Sequence, residues 1–82
     1  TIERAFALRD GKAPPATHTL TVRETQCLRY VAIGHSDAEI GQILGISPRT
    51  VRFHVDSAKT KLGVSTRVQA VAKALRERII AV

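Results

Sequence analysis

An all-α fold of four short helices is what this sequence predicts, on three observations. Aliphatic residues recur at three- and four-residue spacing through residues 20–79, with no strand-like alternation. Each run opens on a helix-cap residue, and the first three close on a glycine. Aromatics, which strands favour, number only three: Phe6, Tyr30 and Phe53. At 82 residues the chain has room for one small domain with a modest core, and not for a cofactor pocket beside it.

Residues 1–19 read as an interdomain linker or the tail of an upstream domain. Ile2, Ala5, Phe6 and Leu8 have mild helical character, and Gly11–Ala16 with two prolines is a linker by composition. His18 falls in this stretch as a solvated side chain. A start on Thr1 rather than Met points to a piece of a longer protein.

The domain then spans residues 20–82. Thr21 and Glu24 form a capping box for a first helix to about Ile33, burying Cys27, Leu28, Val31 and Ala32 and ending at Gly34. Ser36 and Glu39 form a second box for a short helix, Asp37 to Leu44, with Ile40, Ile43 and Leu44 inward. Gly45 supplies the positive φ of the turn, Ile46 plugs it, and Gly41 marks a close approach of the neighbouring helix. Ser47 caps the third helix, Pro48 suits its first position and Gly63 its stop. Ser65 is expected to cap a fourth, from about Thr66 to Arg78, with Val68, Val71, Ala72, Leu75 and Ile79 facing the core.

The second and third helices with their tight turn form a helix-turn-helix, in which the second of the pair enters the major groove of DNA. Val51, Val55, Ala58 and Leu62 bury one side of the third helix. Arg49, Phe53, Asp56 and Thr60 lie opposite, with Arg52 and Lys59 on one flank and Thr50 and Lys61 on the other. Arg49, Arg52, Phe53 and Asp56 are therefore the base-edge candidates. Arginine can pair bidentately with guanine, aspartate can accept from cytosine and phenylalanine can meet a thymine methyl. The blander readings are solvated arginines, Phe53 folded over a neighbouring stem, and Asp56 paired with Arg52 at (i, i+4). Ser47, Thr50, Lys59 and Lys61 are the phosphate candidates, joined by the amide-rich start of the helix. His54 borders the apolar stripe as a half-buried structural histidine.

Charge supports a polyanionic partner. Residues 1–48 carry equal numbers of acids and bases, so the whole net charge of +6 lies from Arg49 onward. Nucleic acid is the first partner this implies, and a membrane surface a weaker second, since the apolar stripe of the fourth helix is needed for the core. Cys27 is the only cysteine, which rules out an internal disulfide and a Cys-rich zinc site and reads as a buried thiol in a reducing compartment. Three scattered histidines and one cysteine give no converging nucleophile, base or metal ligands, so neither catalysis nor a cofactor is expected in this domain. No apolar run approaches the ~18 residues of a membrane span.

Leu20–Glu24, Ala32–Ser36, Glu39–Ile40, Leu44–Ser47, Thr50–Val55, Lys61–Val64 and Arg67–Val71 together resemble the LuxR-type (GerE-like) helix-turn-helix domain over residues 20–79. The resemblance implies four helices binding an inverted repeat in double-stranded DNA as a homodimer to regulate transcription. Arg52 and Asp56 then sit where relatives reach bases, although an acid at Asp56 departs from the basic versions. Thr50 and Lys61 sit where relatives touch phosphate, and Glu24 with Arg67 where an ion pair ties the first helix to the fourth. Dimerisation through the fourth helix would use Ala70, Lys73, Ala74 and Glu77. The stretch Thr50–Leu62 further resembles the acyl-homoserine-lactone-responsive, quorum-sensing branch, implying an upstream domain that binds a small lipid-like signal. The alternatives are an output domain behind a phosphorylated receiver and a sigma-factor-like module. The expected setting is the bacterial cytoplasm at the nucleoid, with RNA polymerase as a further partner.

Overall fold

The computed structural model describes residues 20–82, so the linker expectation for residues 1–19, His18 included, lies outside the described residues. Four helices follow one another: α1 (Val22–Ile33), α2 (Asp37–Leu44), α3 (Pro48–Leu62) and α4 (Arg67–Arg76). The described residues contain no strand, and none of their helices is long and apolar enough to cross a membrane.

The caps form as the sequence dictates for α1 to α3. The Thr21 hydroxyl accepts from the Glu24 amide at 3.1 Å while the Glu24 carboxylate accepts from the Thr21 amide at 2.8 Å. Ser36 and Glu39 repeat the exchange, and Ser47 accepts from the Thr50 amide at 3.1 Å. The fourth cap is Thr66 rather than Ser65. Its hydroxyl accepts from the Gln69 amide, and the Gln69 side chain accepts from both the Thr66 and Ser65 amides. Glutamine completes a capping box as well as glutamate, which shifts the helix start by one residue.

α3 is the central element and packs against α1, α2 and α4. Its stripe is divided between two clusters. Val51 and Val55 join Cys27 of α1 and Ile40 of α2, while Ala58 and Leu62 join Leu28, Ala70, Ala74 and Ile80. A β-carbon at Gly41 would lie 2.5 Å from the Ile46 carbonyl oxygen, so the obstacle is the backbone of the turn itself. Gly45 takes a left-handed φ of 73°, which sends the chain from α2 into α3.

Two expected core assignments are corrected. Ile43 is 48% exposed, because an eight-residue helix touching α3 and α1 buries little beyond Ile40 and Gly41. α4 is rotated from the expected stripe: Ala70 and Ala74 are fully buried, while Val68 is 75% exposed and Leu75 37%. Small alanines let α4 approach Ala58 and Leu28 closely, and the bulk that completes this cluster comes from Ile79 and Ile80 beyond the helix.

α4 also stops at Arg76, short of the expected Arg78. Arg78 adopts φ 60°, and the Ile79 amide turns back to donate to the Ala74 carbonyl at 2.8 Å. A left-handed non-glycine residue costs roughly 1–2 kcal/mol. Burying the Ile80 side chain to 5% exposure contributes about 1.5–3 kcal/mol, enough to offset it.

Gly41→Ala should destabilise the domain by about 1–3 kcal/mol through overpacking against backbone. Thermal unfolding should show a Tm lowered by at least ~5 °C for a domain of this size. An unchanged Tm would mean that the turn has slack which this geometry does not show.

Candidate nucleic-acid interface

The outer face of α3 is set by what its inner face buries. Val51, Val55, Ala58 and Leu62 are 0–1% exposed. At 100° per residue this turns Arg49, Arg52, Phe53, Asp56 and Thr60 to solvent, and all five are exposed. Among the described residues neither the Arg49 nor the Arg52 guanidinium has a hydrogen-bond or ion-pair partner. Phe53 is 65% exposed and rests edge-on against His54, ring centroids 5.7 Å apart, instead of folding over a stem. His54 is half-buried.

Asp56 does not pair with Arg52. Its Oδ1 accepts from the Lys59 ammonium at 3.1 Å, one turn on. With its carboxylate exposed and Lys59 only half-buried, such an (i, i+3) pair is worth only ~0.2–0.5 kcal/mol, so Lys59 can be drawn to a stronger anion at little cost. At the helix start the Ser47 and Thr50 hydroxyls lie 2.9 Å apart, placing both side chains at the amide-rich end.

The expected Glu24–Arg67 ion pair is replaced by two others. Lys61 donates to Glu24 at 3.0 Å, joining α3 to α1. Arg67 makes a forked contact with Asp37, at 2.8 and 3.4 Å, joining α4 to α2. Lys73 in turn donates to the Leu62 carbonyl at 2.8 Å, closing the C-terminal end of α3. These contacts link residues 37, 30 and 11 apart in sequence, and no local pattern signals them. They also spend three of the cations counted toward a polyanion. The Lys61 pair differs from the Lys59 pair because Glu24 is only 3% exposed. Separating Lys61 from it costs about 1–2 kcal/mol, allowing for the third of Lys61 that faces water. Lys61 therefore first holds α3 in place.

The expected dimer set is corrected by burial. Ala70 and Ala74 are covered inside the domain and Lys73 donates to the Leu62 carbonyl, so these three side chains are turned to the domain's own core and α3; Glu77 is exposed beyond the helix end. The exposed apolar face of α4 is instead Val68, Ala72 and Leu75. The thiol of Cys27 is fully buried, and burial pushes its pKa up, away from reactivity.

A helix-turn-helix with a pinned inner face and two unpartnered arginines outside is matched by a known family. The description "Bacterial regulatory proteins, luxR family" fits residues 18–74. The chain belongs to the LuxR family. It carries that family's DNA-binding domain of transcriptional regulators. Transcriptional activator protein SolR of Ralstonia solanacearum is 45% identical over 67 residues, 82% of this chain and 28% of that protein. Probable transcriptional regulatory protein NarL of Mycobacterium tuberculosis is 41% identical over 69 residues, 84% of this chain and 32% of that protein. The solved structure of transcription factor GerE superposes with a TM-score of 0.73 at 37% identity, covering 76% of this chain and 92% of that one. The chain thus spans no more than about a third of the curated relatives' length. The observed fold is the LuxR-type, four-helix one expected.

Burial alone would raise the Glu24 pKa. Hydrogen bonds from the Ser57 hydroxyl, the Thr21 amide and Lys61, with the Lys61 charge, outweigh burial and hold the carboxyl below its ordinary 4.5. A depressed folded pKa contributes stability that is present above the unfolded value and lost as pH falls through the folded one. Urea midpoints measured in steps downward from pH 5 should therefore fall less steeply for Glu24→Gln than for the parent. Parallel falls would show that Glu24 has no part in the acid transition.

Proposed function

We propose that the chain is the DNA-reading output module of a longer bacterial transcription regulator, binding an inverted-repeat operator as a symmetric dimer in the cytoplasm. The observation that carries this reading is the contrast between cations. Arg49 and Arg52 are exposed and unengaged on the reading face, whereas Lys59, Lys61 and Arg67 are each tied to a carboxylate. Arg52 and Arg49 read guanine edges from the N-terminal half of α3, with Phe53 and Asp56 one step further along the groove. Ser47, Thr50 and Lys59 take phosphates, and Lys61 adds to that contact while keeping α3 on α1.

The second copy docks on α4. Val68, Ala72 and Leu75 follow the i, i+4, i+7 pattern of one helix face, which explains why apolar side chains stand in water there. The upstream domain binds an acyl-homoserine-lactone-like signal, a reading supported by the resemblance of Thr50–Leu62 to that branch. RNA polymerase is a further partner, in keeping with the activator named among the relatives.

Selection from a random duplex pool should enrich an inverted repeat with half-sites about 10 bp apart, bound more weakly as salt rises. Arg52→Ala should relax preference at one base position by about tenfold or more, whereas Lys61→Ala should weaken every sequence alike. Enrichment of a single asymmetric site would overturn the dimer reading. Uniform loss in both variants would overturn the readout assignment.

Val68→Glu places an acid near the start of α4, where the helix dipole tolerates it, so the fold should hold. Sedimentation with the full inverted repeat should then show one copy bound where the parent binds two. Two bound copies of the variant would put the dimer contact elsewhere.

A further inference from the structure

A shallow hollow on the outer face of α3, lined by Phe53, Asp56, Ser57, Thr60 and Lys61, has a chemistry more specific than general groove contact. Phe53 forms its apolar wall, with its ring set against His54. Asp56, one turn on, gives only Oδ1 to Lys59, and no described residue bonds its Oδ2. The donors around the hollow are drawn elsewhere. The Thr60 hydroxyl donates to the Asp56 backbone carbonyl at 3.2 Å, Lys61 donates to Glu24 at 3.0 Å, and the half-buried Ser57 hydroxyl stands on the Glu24 side, where it helps hold that carboxyl ionised. The Asp56 Oδ2 thus faces outward as a strong acceptor beside the apolar Phe53 ring, with the partly exposed Lys61 ammonium at the rim on the Glu24 side, where a backbone phosphate can also reach it.

The major-groove edges of the bases can be sorted against that pair. Guanine presents only acceptors, and adenine sets an acceptor beside its amino group. Thymine has the methyl group but sets the O4 acceptor next to it, which the Asp56 carboxylate repels. Cytosine has the N4 donor but only a hydrogen at C5. A cytosine methylated at C5 offers the donor and the methyl side by side.

We propose that the Phe53–Asp56 hollow recognises 5-methylcytosine, with N4 donating to Asp56 and the 5-methyl group against Phe53, so that the domain binds a methylated operator more tightly than an unmethylated one. This rests on α3 being the helix that reads the groove. The acid at position 56 then has a use of its own, because it selects an amino-bearing base while Phe53 selects the methyl.

The test starts from the operator recovered by selection and from the base pair whose preference is lost in Asp56→Ala. Binding of the chain is measured to duplexes carrying cytosine, 5-methylcytosine or thymine at that position. The expected result is 5-methylcytosine tighter than cytosine by about four-fold, the effect of one methyl-sized group leaving water, and thymine at least about tenfold weaker than 5-methylcytosine. Phe53→Ala should remove the difference between cytosine and its methylated form. Asp56→Asn, whose amide can donate to O4 as well as accept from N4, should narrow the gap between thymine and 5-methylcytosine. Equal binding of methylated and unmethylated cytosine, thymine as tight as 5-methylcytosine, or no base position dependent on Asp56 would each overturn the inference. If Arg52-dependent specificity persists alongside any of these, this inference alone fails. If no duplex is bound specifically, the DNA-reading proposal fails with it.

Discussion

Everything outward on this domain depends on one buried line, the Val51–Val55–Ala58–Leu62 stripe of α3. No other element supplies so many of the fully buried side chains, and the stripe belongs to both core clusters. Its first half is gripped by α1 and α2 and its second by α1 and α4. A helix held on one side along its whole length cannot roll, so its opposite face is presented at a fixed angle. Groove reading requires that: side chains placed by a mobile helix would lose the orientational advantage of a preformed surface.

Polar contacts complete what the apolar stripe begins, and they do so across the fold. Lys61–Glu24 ties the C-terminal half of α3 to α1, and Lys73 closes its last turn. α2 and α4 share no backbone packing among the described residues, yet Arg67 and Asp37 bridge them with a forked contact. The bridge connects the helix that supports α3 to the helix proposed to carry the partner subunit. The angle between α2 and α4 is thus set partly by a single arginine–carboxylate fork, a geometry lysine would not reproduce.

The C-terminal segment shows local preference giving way to burial. Arg78 accepts a left-handed backbone so that Ile80 can close the cluster above Ala70 and Ala74. With that bulk coming from the tail, α4 can offer alanines inward and leave Val68 and Leu75 outside. A larger residue at either alanine would push α4 off α3 and move the exposed stripe with it.

The sequence by itself determined the number, order and ends of the first three helices, the turn at Gly45 and the outward direction of Arg49, Arg52 and Phe53. These follow from local rules: a hydroxyl three residues before a carboxylate, a glycine at a positive φ, and aliphatics at helical spacing. Only the tertiary structure decided which way α4 faces, because Ala70–Ala74 and Val68–Leu75 are both valid stripes until a neighbour selects the one that packs closer. Likewise it decided which cations remain for DNA. Lys61 and Arg67 look as available as Arg52 in a charge count, but their carboxylate partners lie 37 and 30 residues away, and only folding brings those charges within hydrogen-bonding distance.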